Sequence, residues 1–208
     1  MQTTEKKYDK WQPSDDIRLK KTVDFIGDAS GRILDVGMKH GFTLEALSGI
    51  QKVGTDINRA YLENAAGRGK IRDIVLCDVF ALPFKENAFN TVLLTEVFEH
   101  IENPENAIAE ISRVARGKLI ISTPNNCWAR KAKHFLLGKP HLISQDHVKE
   151  YPWKEVKDIV ESYGFKMTRF RGLGFFFTYR PYPFWEFFGR IFPTLSADML
   201  MEYEKRLK

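Results

Sequence analysis

Cysteine is almost absent: the chain has two in 208 residues, Cys77 and Cys127. Two are too few for a disulfide framework, and their separation has no metal-ligand spacing. Cys77 sits inside an apolar run and reads as core packing. Long apolar runs are missing too. None approaches the ~20 residues needed to span a bilayer. The first dozen residues are polar and charged, which argues against a secretory signal. No internal repeat or low-complexity tract is visible. These absences leave a globular protein of a reducing, cytoplasmic compartment as the expectation.

The length of 208 residues suits a single domain with a full core, and 43% hydrophobic content is ordinary for one. The formal net charge is +5. A basic balance admits acidic partners such as RNA or anionic lipid. A solvated basic surface accounts for it equally well.

Three apolar runs carry more information than the totals. Ile33 to Val36 runs into a glycine-bearing turn, Gly37 to Gly41. Lys52 to Asp56 and Asp73 to Asp78 each end on an acid. Such strands line up one edge of a parallel sheet, where open α/β sheets bind their ligands. A turn after the first strand brings backbone close to a ligand. An acid after the second can grip a ribose diol, and an acid after the third can reach an adenine amine. The pattern points to an adenosine-type cofactor.

The other elements follow from local signals. Asp15 or Asp16 starts a helix with Ile17, Leu19, Val23, Phe25 and Ile26 as its apolar positions. Phe42 to Leu47 is the helix after the glycine turn, and Asn58 caps a helix from Arg59 to Ala66. Thr91 to Thr95 is nearly all apolar, as a strand covered on both faces should be. Pro104 opens the next helix, whose apolar face is Ala107, Ile108, Ile111 and Val114. Lys118 to Ser122 is a fifth strand, Trp153 to Tyr163 a helix, Phe165 to Phe170 a sixth strand and Phe175 to Tyr179 a candidate seventh.

Six pieces in order carry a family resemblance: Leu34-Asp35-Val36-Gly37 with Gly41, Gly54-Thr55-Asp56-Ile57, Cys77-Asp78-Val79, Leu82-Pro83-Phe84, Leu94 to His100, and Ile121 to Asn125. The chain resembles the class I, Rossmann-like S-adenosylmethionine-dependent methyltransferases over roughly residues 14 to 180. The resemblance implies a three-layer αβα sandwich around a seven-stranded, mostly parallel sheet with an antiparallel last strand. It implies S-adenosyl-L-methionine as cofactor. Asp56 would then hold the ribose hydroxyls, with Ile57 against the ring. Asp78 would accept from the adenine amine beside Val79. Gly37, Lys39 and Gly41 would face the methionine end, and Asp35 and Thr95 would complete the set. A dehydrogenase fits worse, because the loop lacks the dinucleotide glycine fingerprint. Lys39 is the departure, standing where the family usually has glycine. It implies either ordinary backbone angles there or a side chain turned from the pocket, and its ammonium could meet the methionine carboxylate.

The same resemblance assigns substrate specificity to two additions, residues 125–150 and the tail 181–208. Near the carboxyl ends of strands four and five the sequence offers Glu96, Glu99 and His100, with His141, Asp146 and His147 in the insertion. Glu96 to His100 is similar to a motif of metal-assisted O-methyltransferases, of the ubiquinone pathway and of small RNA. Glu96, Glu99, His100 and His147 thus form a candidate divalent-metal set. His100 or His147 as general base, and a purely structural brace, are the alternatives. Asn-Pro-Pro-Tyr is absent after strand four, which disfavours base N-methylation, and Cys127 lacks the context of a pyrimidine nucleophile.

Ten aromatic residues lie between Phe175 and Phe192, with Arg180 and Arg190 among them. They read as the wall of a hydrophobic substrate pocket, as a homodimer contact in a protein otherwise monomeric, or as a peripheral membrane element. The leading expectation is O-methylation of a small or lipid-like acceptor. An RNA 2′-O-methyltransferase and a cofactor-binding protein without catalysis are the rivals.

Overall fold

The structure, a computed structural model, describes residues 13–27, 31–48, 51–127, 138, 147–175 and 191–206. In chain order these form α1 (Pro13–Ile26), β1 (Arg32–Val36), α2 (Phe42–Ala46), β2 (Gln51–Asp56), α3 (Arg59–Gly67), β3 (Asp73–Leu76), β4 (Phe89–Thr95), α4 (Pro104–Val114), β5 (Ala115–Pro124), α5 (Trp153–Ser162), β6 (Phe165–Phe175) and β7 (Ser196–Lys205). The strands make one seven-stranded sheet in the order β3-β2-β1-β4-β5-β7-β6. β1 to β5 pair in parallel, and β7 runs antiparallel to both neighbours.

Alternation along the strands builds a core on each face of the sheet. Leu34, Val92, Leu94, Leu119, Ile121, Met199, Met201 and Tyr203 point to one face, where Ile108 and Ile111 of α4 and Val156 and Val160 of α5 cover them. Ile33, Leu93, Ile120 and Leu200 point to the other, against Phe25 and Ile26 of α1, Leu44 of α2 and Leu62 of α3. Each fully buried side chain of this kind contributes roughly 1.5–3 kcal/mol. The result is the expected three-layer arrangement. Local signals held as well. The Asn58 side chain accepts from the Ala60 N–H at the start of α3, and Pro104 occupies the first turn of α4.

The seventh strand is the main correction. Phe175 is the last residue of β6, and the strand between β5 and β6 is Ser196–Lys205. The tail is therefore not all an addition to the fold. Asp198, Glu202 and Glu204 interrupt the apolar character of this segment and hid its alternation. Glu202 is nonetheless buried, because Lys118 and Arg169 reach its carboxylate at 3.5 and 3.3 Å. Residues 176–190, which hold most of the aromatic cluster, lie outside the described residues, as do His141 and Asp146. No helix among the described residues is long and apolar enough to cross a membrane.

Candidate active site

The strand order reverses between β1 and β4: from β1 the chain first builds outward to β2 and β3, then returns to β4 and β5. The crevice at the carboxyl ends of those strands is where such a sheet binds its ligand. Gly37 follows β1 there with φ 71°, and a Cβ on it would fall 2.5 Å from Cγ2 of Val97, just beyond β4. Glycine is thus required twice, for the left-handed turn and for the approach of two loops.

Asp56 closes β2, nearly buried, and its carboxylate already has two backbone donors. The Lys39 N–H donates to Oδ2 at 2.9 Å and the Asn58 N–H to Oδ1 at 2.8 Å. This explains how Lys39 serves where a glycine was expected. Its backbone is not ordinary: φ is 51°, left-handed. Its ammonium lies 5.6 Å over the Tyr61 ring. Ile57, next to Asp56, leaves 71% of its surface exposed, an apolar face suited to a planar ring. Asp78 is exposed after β3 and its Oδ1 accepts from the Phe80 N–H at 3.1 Å, while Val79 packs against the core. Thr95 ends β4, level with Ser122 of β5.

Asp35 is the buried acid of this edge. Burial, and secondarily the charge of Asp56, push its carboxyl from 3.8 up to about 8. Its Oδ1 has no hydrogen-bond partner among the described residues. A raised carboxyl pKa contributes stability that is complete below the unfolded value and is lost as pH climbs through the folded one. The melting temperature of Asp35→Asn should therefore gain on that of the wild type between about pH 4 and pH 8. Parallel melting curves across that range would rule this out.

The second group lies beyond β4. Glu96 takes φ 55°, its N–H donates to the Ser122 carbonyl at 2.9 Å, and its Oε1 accepts from Ser122 Oγ at 2.7 Å. Its Oε2 pairs with Arg18 of α1 at 3.2 Å. Glu99 is buried, and Oε2 accepts from Thr123 Oγ1 at 2.9 Å. Burial first, then the neighbouring Glu96, hold its carboxyl well above the usual carboxylate range. Its carbonyl accepts from the N–H groups of Val148 and Lys149 at 3.0 and 3.2 Å. Those bonds bring the remote His147 to His100, with ring centroids 5.0 Å apart and edge to face.

Glu99, His100 and His147 each offer one donor atom within 4.8 Å of the others. Glu96 is not in that group; its carboxylate is engaged by Ser122 and Arg18. An oxygen and two imidazole nitrogens suit a borderline divalent ion. Three residues at this site escaped sequence reading: Thr123, Asn126 and Glu150. Asn126 Nδ2 donates to the Glu150 carbonyl at 2.9 Å, and Glu150 lies 3.0 Å from His147. Only the three-residue spacing of His147 and Glu150 hinted at the last contact.

A family model described as a methyltransferase domain matches residues 34–121. An uncharacterized protein of Methanocaldococcus jannaschii is 28% identical over 169 residues, covering 76% of this chain and 77% of its own. The demethylmenaquinone methyltransferase of Renibacterium salmoninarum is 32% identical over 105 residues, 48% of this chain and 44% of that protein. The chain thus spans less than half of the latter. A solved S-adenosylmethionine-dependent methyltransferase of Thermotoga maritima has the same fold, with a TM-score of 0.73 at 17% identity over 97% of this chain and 96% of that one. Residues 34–121, from β1 into β5, thus match the methyltransferase domain family, and the whole sheet has the fold of a solved S-adenosylmethionine-dependent methyltransferase.

Proposed function

We propose that this methyltransferase methylates a hydroxyl oxygen of a small or lipid-like acceptor. The observation that carries the reading is the convergence of Glu99, His100 and His147 at the carboxyl end of β4. S-adenosylmethionine brings a methyl group already activated on a sulfonium. The protein then has to orient an acceptor in line, exclude water and accept a proton. Asp56 takes the ribose hydroxyls and Asp78 the adenine amine. Ile57 and Val79 flank the ring. Asp35, Gly37, Lys39, Gly41 and Thr95 border the methionine end. Burial and Glu96 raise the Glu99 carboxyl, which favours a histidine, His147 or His100, as the base among the described residues. A divalent ion, if bound, would be held by Glu99, His100 and His147 and would place positive charge beside the acceptor oxygen.

The aromatic stretch from Phe175 to Phe192 supports an apolar acceptor, and the relative named for demethylmenaquinone supports a small one. A second reading, 2′-O-methylation of RNA, draws on the same donor set and on the +5 charge. The two separate in one experiment, with methyl-labelled S-adenosylmethionine offered a lipid extract or total RNA. Label should enter the lipid extract, with little change as salt rises. Label in RNA that falls steeply with salt overturns the small-acceptor reading. A chelation arm decides the ion. Turnover lost to chelator and restored by a divalent cation assigns it a role, whereas turnover that survives chelation leaves the proton to the histidine alone.

A further inference from the structure

We infer that Glu150 is a positioning residue that fixes His147 in a single tautomer. The inference rests on the oxygen-methylation reading only for what His147 does next. His147 Nδ1 lies 3.0 Å from Glu150 Oε1. A carboxylate oxygen accepts and an imidazole nitrogen donates, so the ring proton sits on Nδ1. Nε2 then carries the lone pair and is the nitrogen left to serve Glu99 and His100. Without that contact a neutral imidazole populates both tautomers, and only one of them presents a free nitrogen to the group.

The surroundings make this more than a surface ion pair. The Glu150 side chain is fully buried and that of His147 is 9% exposed. Burying a carboxyl group is costly unless it is hydrogen-bonded, so its place in the fold is one that a structural role alone would fill more cheaply with an apolar residue. The segment carrying both groups is stitched on either side. Glu99 accepts from Val148 and Lys149, and Asn126 pairs with the backbone of Glu150 and Tyr151. Backbone bonds therefore set where His147 is, while Glu150 sets which way its proton faces.

The tautomer can be read directly. Long-range proton–nitrogen correlation spectra of the full chain, with histidine labelled, should show His147 protonated at Nδ1. A wild-type spectrum with the proton on Nε2 overturns the inference without any variant. Glu150→Met keeps the volume and removes the acceptor, and should release the ring to a mixture of tautomers. Transfer of labelled methyl into a lipid extract should fall by about 10- to 100-fold, the usual cost of losing such a partner. Affinity for S-adenosylmethionine should stay the same. Glu150→Gln keeps a carbonyl acceptor and should retain the Nδ1 proton and most of the turnover. Unaltered tautomer and turnover in Glu150→Met refute the positioning role. If His147→Ala itself leaves turnover intact, the histidine-base reading fails instead, and the spectra still decide what Glu150 does.

Discussion

Replacing His147 by alanine is expected to lower the methyl-transfer rate by about 10²- to 10⁴-fold, the range for a general base in the transition state. Burial and the adjacent Glu96 raise the Glu99 carboxyl, which makes it a poorer acceptor of the substrate's proton than an imidazole. Among the described residues the nearby groups able to accept it are His100 and His147, their rings 5.0 Å apart. His147 has its Nδ1 committed to Glu150 and its side chain shielded from water, whereas His100 is exposed. Shielding favours His147 as the group that acts on a bound acceptor. Cofactor affinity should not change, because His147 lies beyond β4 and β5 rather than on the β1–β2 edge. Single-turnover transfer with labelled cofactor, beside calorimetry, makes the check. An equal loss of cofactor binding and of turnover would mean that the substitution damaged the site as a whole.

Asp56→Ala should weaken S-adenosylmethionine binding by roughly 1.5–3 kcal/mol, the value of hydrogen bonds to a charged group, or about ten- to a hundred-fold in dissociation constant. The loss has two sources. A carboxylate at the end of β2 is the acceptor available to a ribose diol. The same carboxylate also holds the Lys39 and Asn58 N–H groups, and so fixes the loops on either side. Asp56→Asn separates the two, since its carbonyl still serves one backbone donor while the charge is gone. Calorimetry should rank affinities wild type, then Asn, then Ala. Unchanged affinity in a folded Asp56→Ala protein removes Asp56 from the cofactor site.

What was legible from sequence depended on whether the signal was local. The acids after β2 and β3, the glycine after β1, the Asn58 cap and Pro104 each announce themselves within a few residues, and each stands where expected. Lys39 was half legible. The departure from glycine was plain and suggested ordinary backbone angles, whereas the lysine itself takes the left-handed turn while its N–H is bonded to Asp56. Glu96 joins the metal set by the motif's resemblance, yet Arg18, 78 residues away, holds its carboxylate with Ser122. β7 was missed because acids break its apolar pattern, and the one buried at its middle, Glu202, is neutralised by Lys118 and Arg169, partners on two other strands that no window of sequence contains. Glu150 is buried beside His147 for a reason that only the folded segment shows.

The place of β7 has a consequence for how the protein is made. Synthesis runs from the amino end, and the parallel strands β1 to β5 can assemble as they emerge. β6 follows, but its place in the sheet is beside β7, which is not yet translated. From residue 175 until residues 196–205 leave the ribosome, β6 has no neighbour and β5 offers a bare edge of unpaired amides and carbonyls. The order of translation and the order of assembly therefore conflict at this one point. A nascent chain paused in that interval is the species most exposed to aggregation, and the one a chaperone would have most reason to hold.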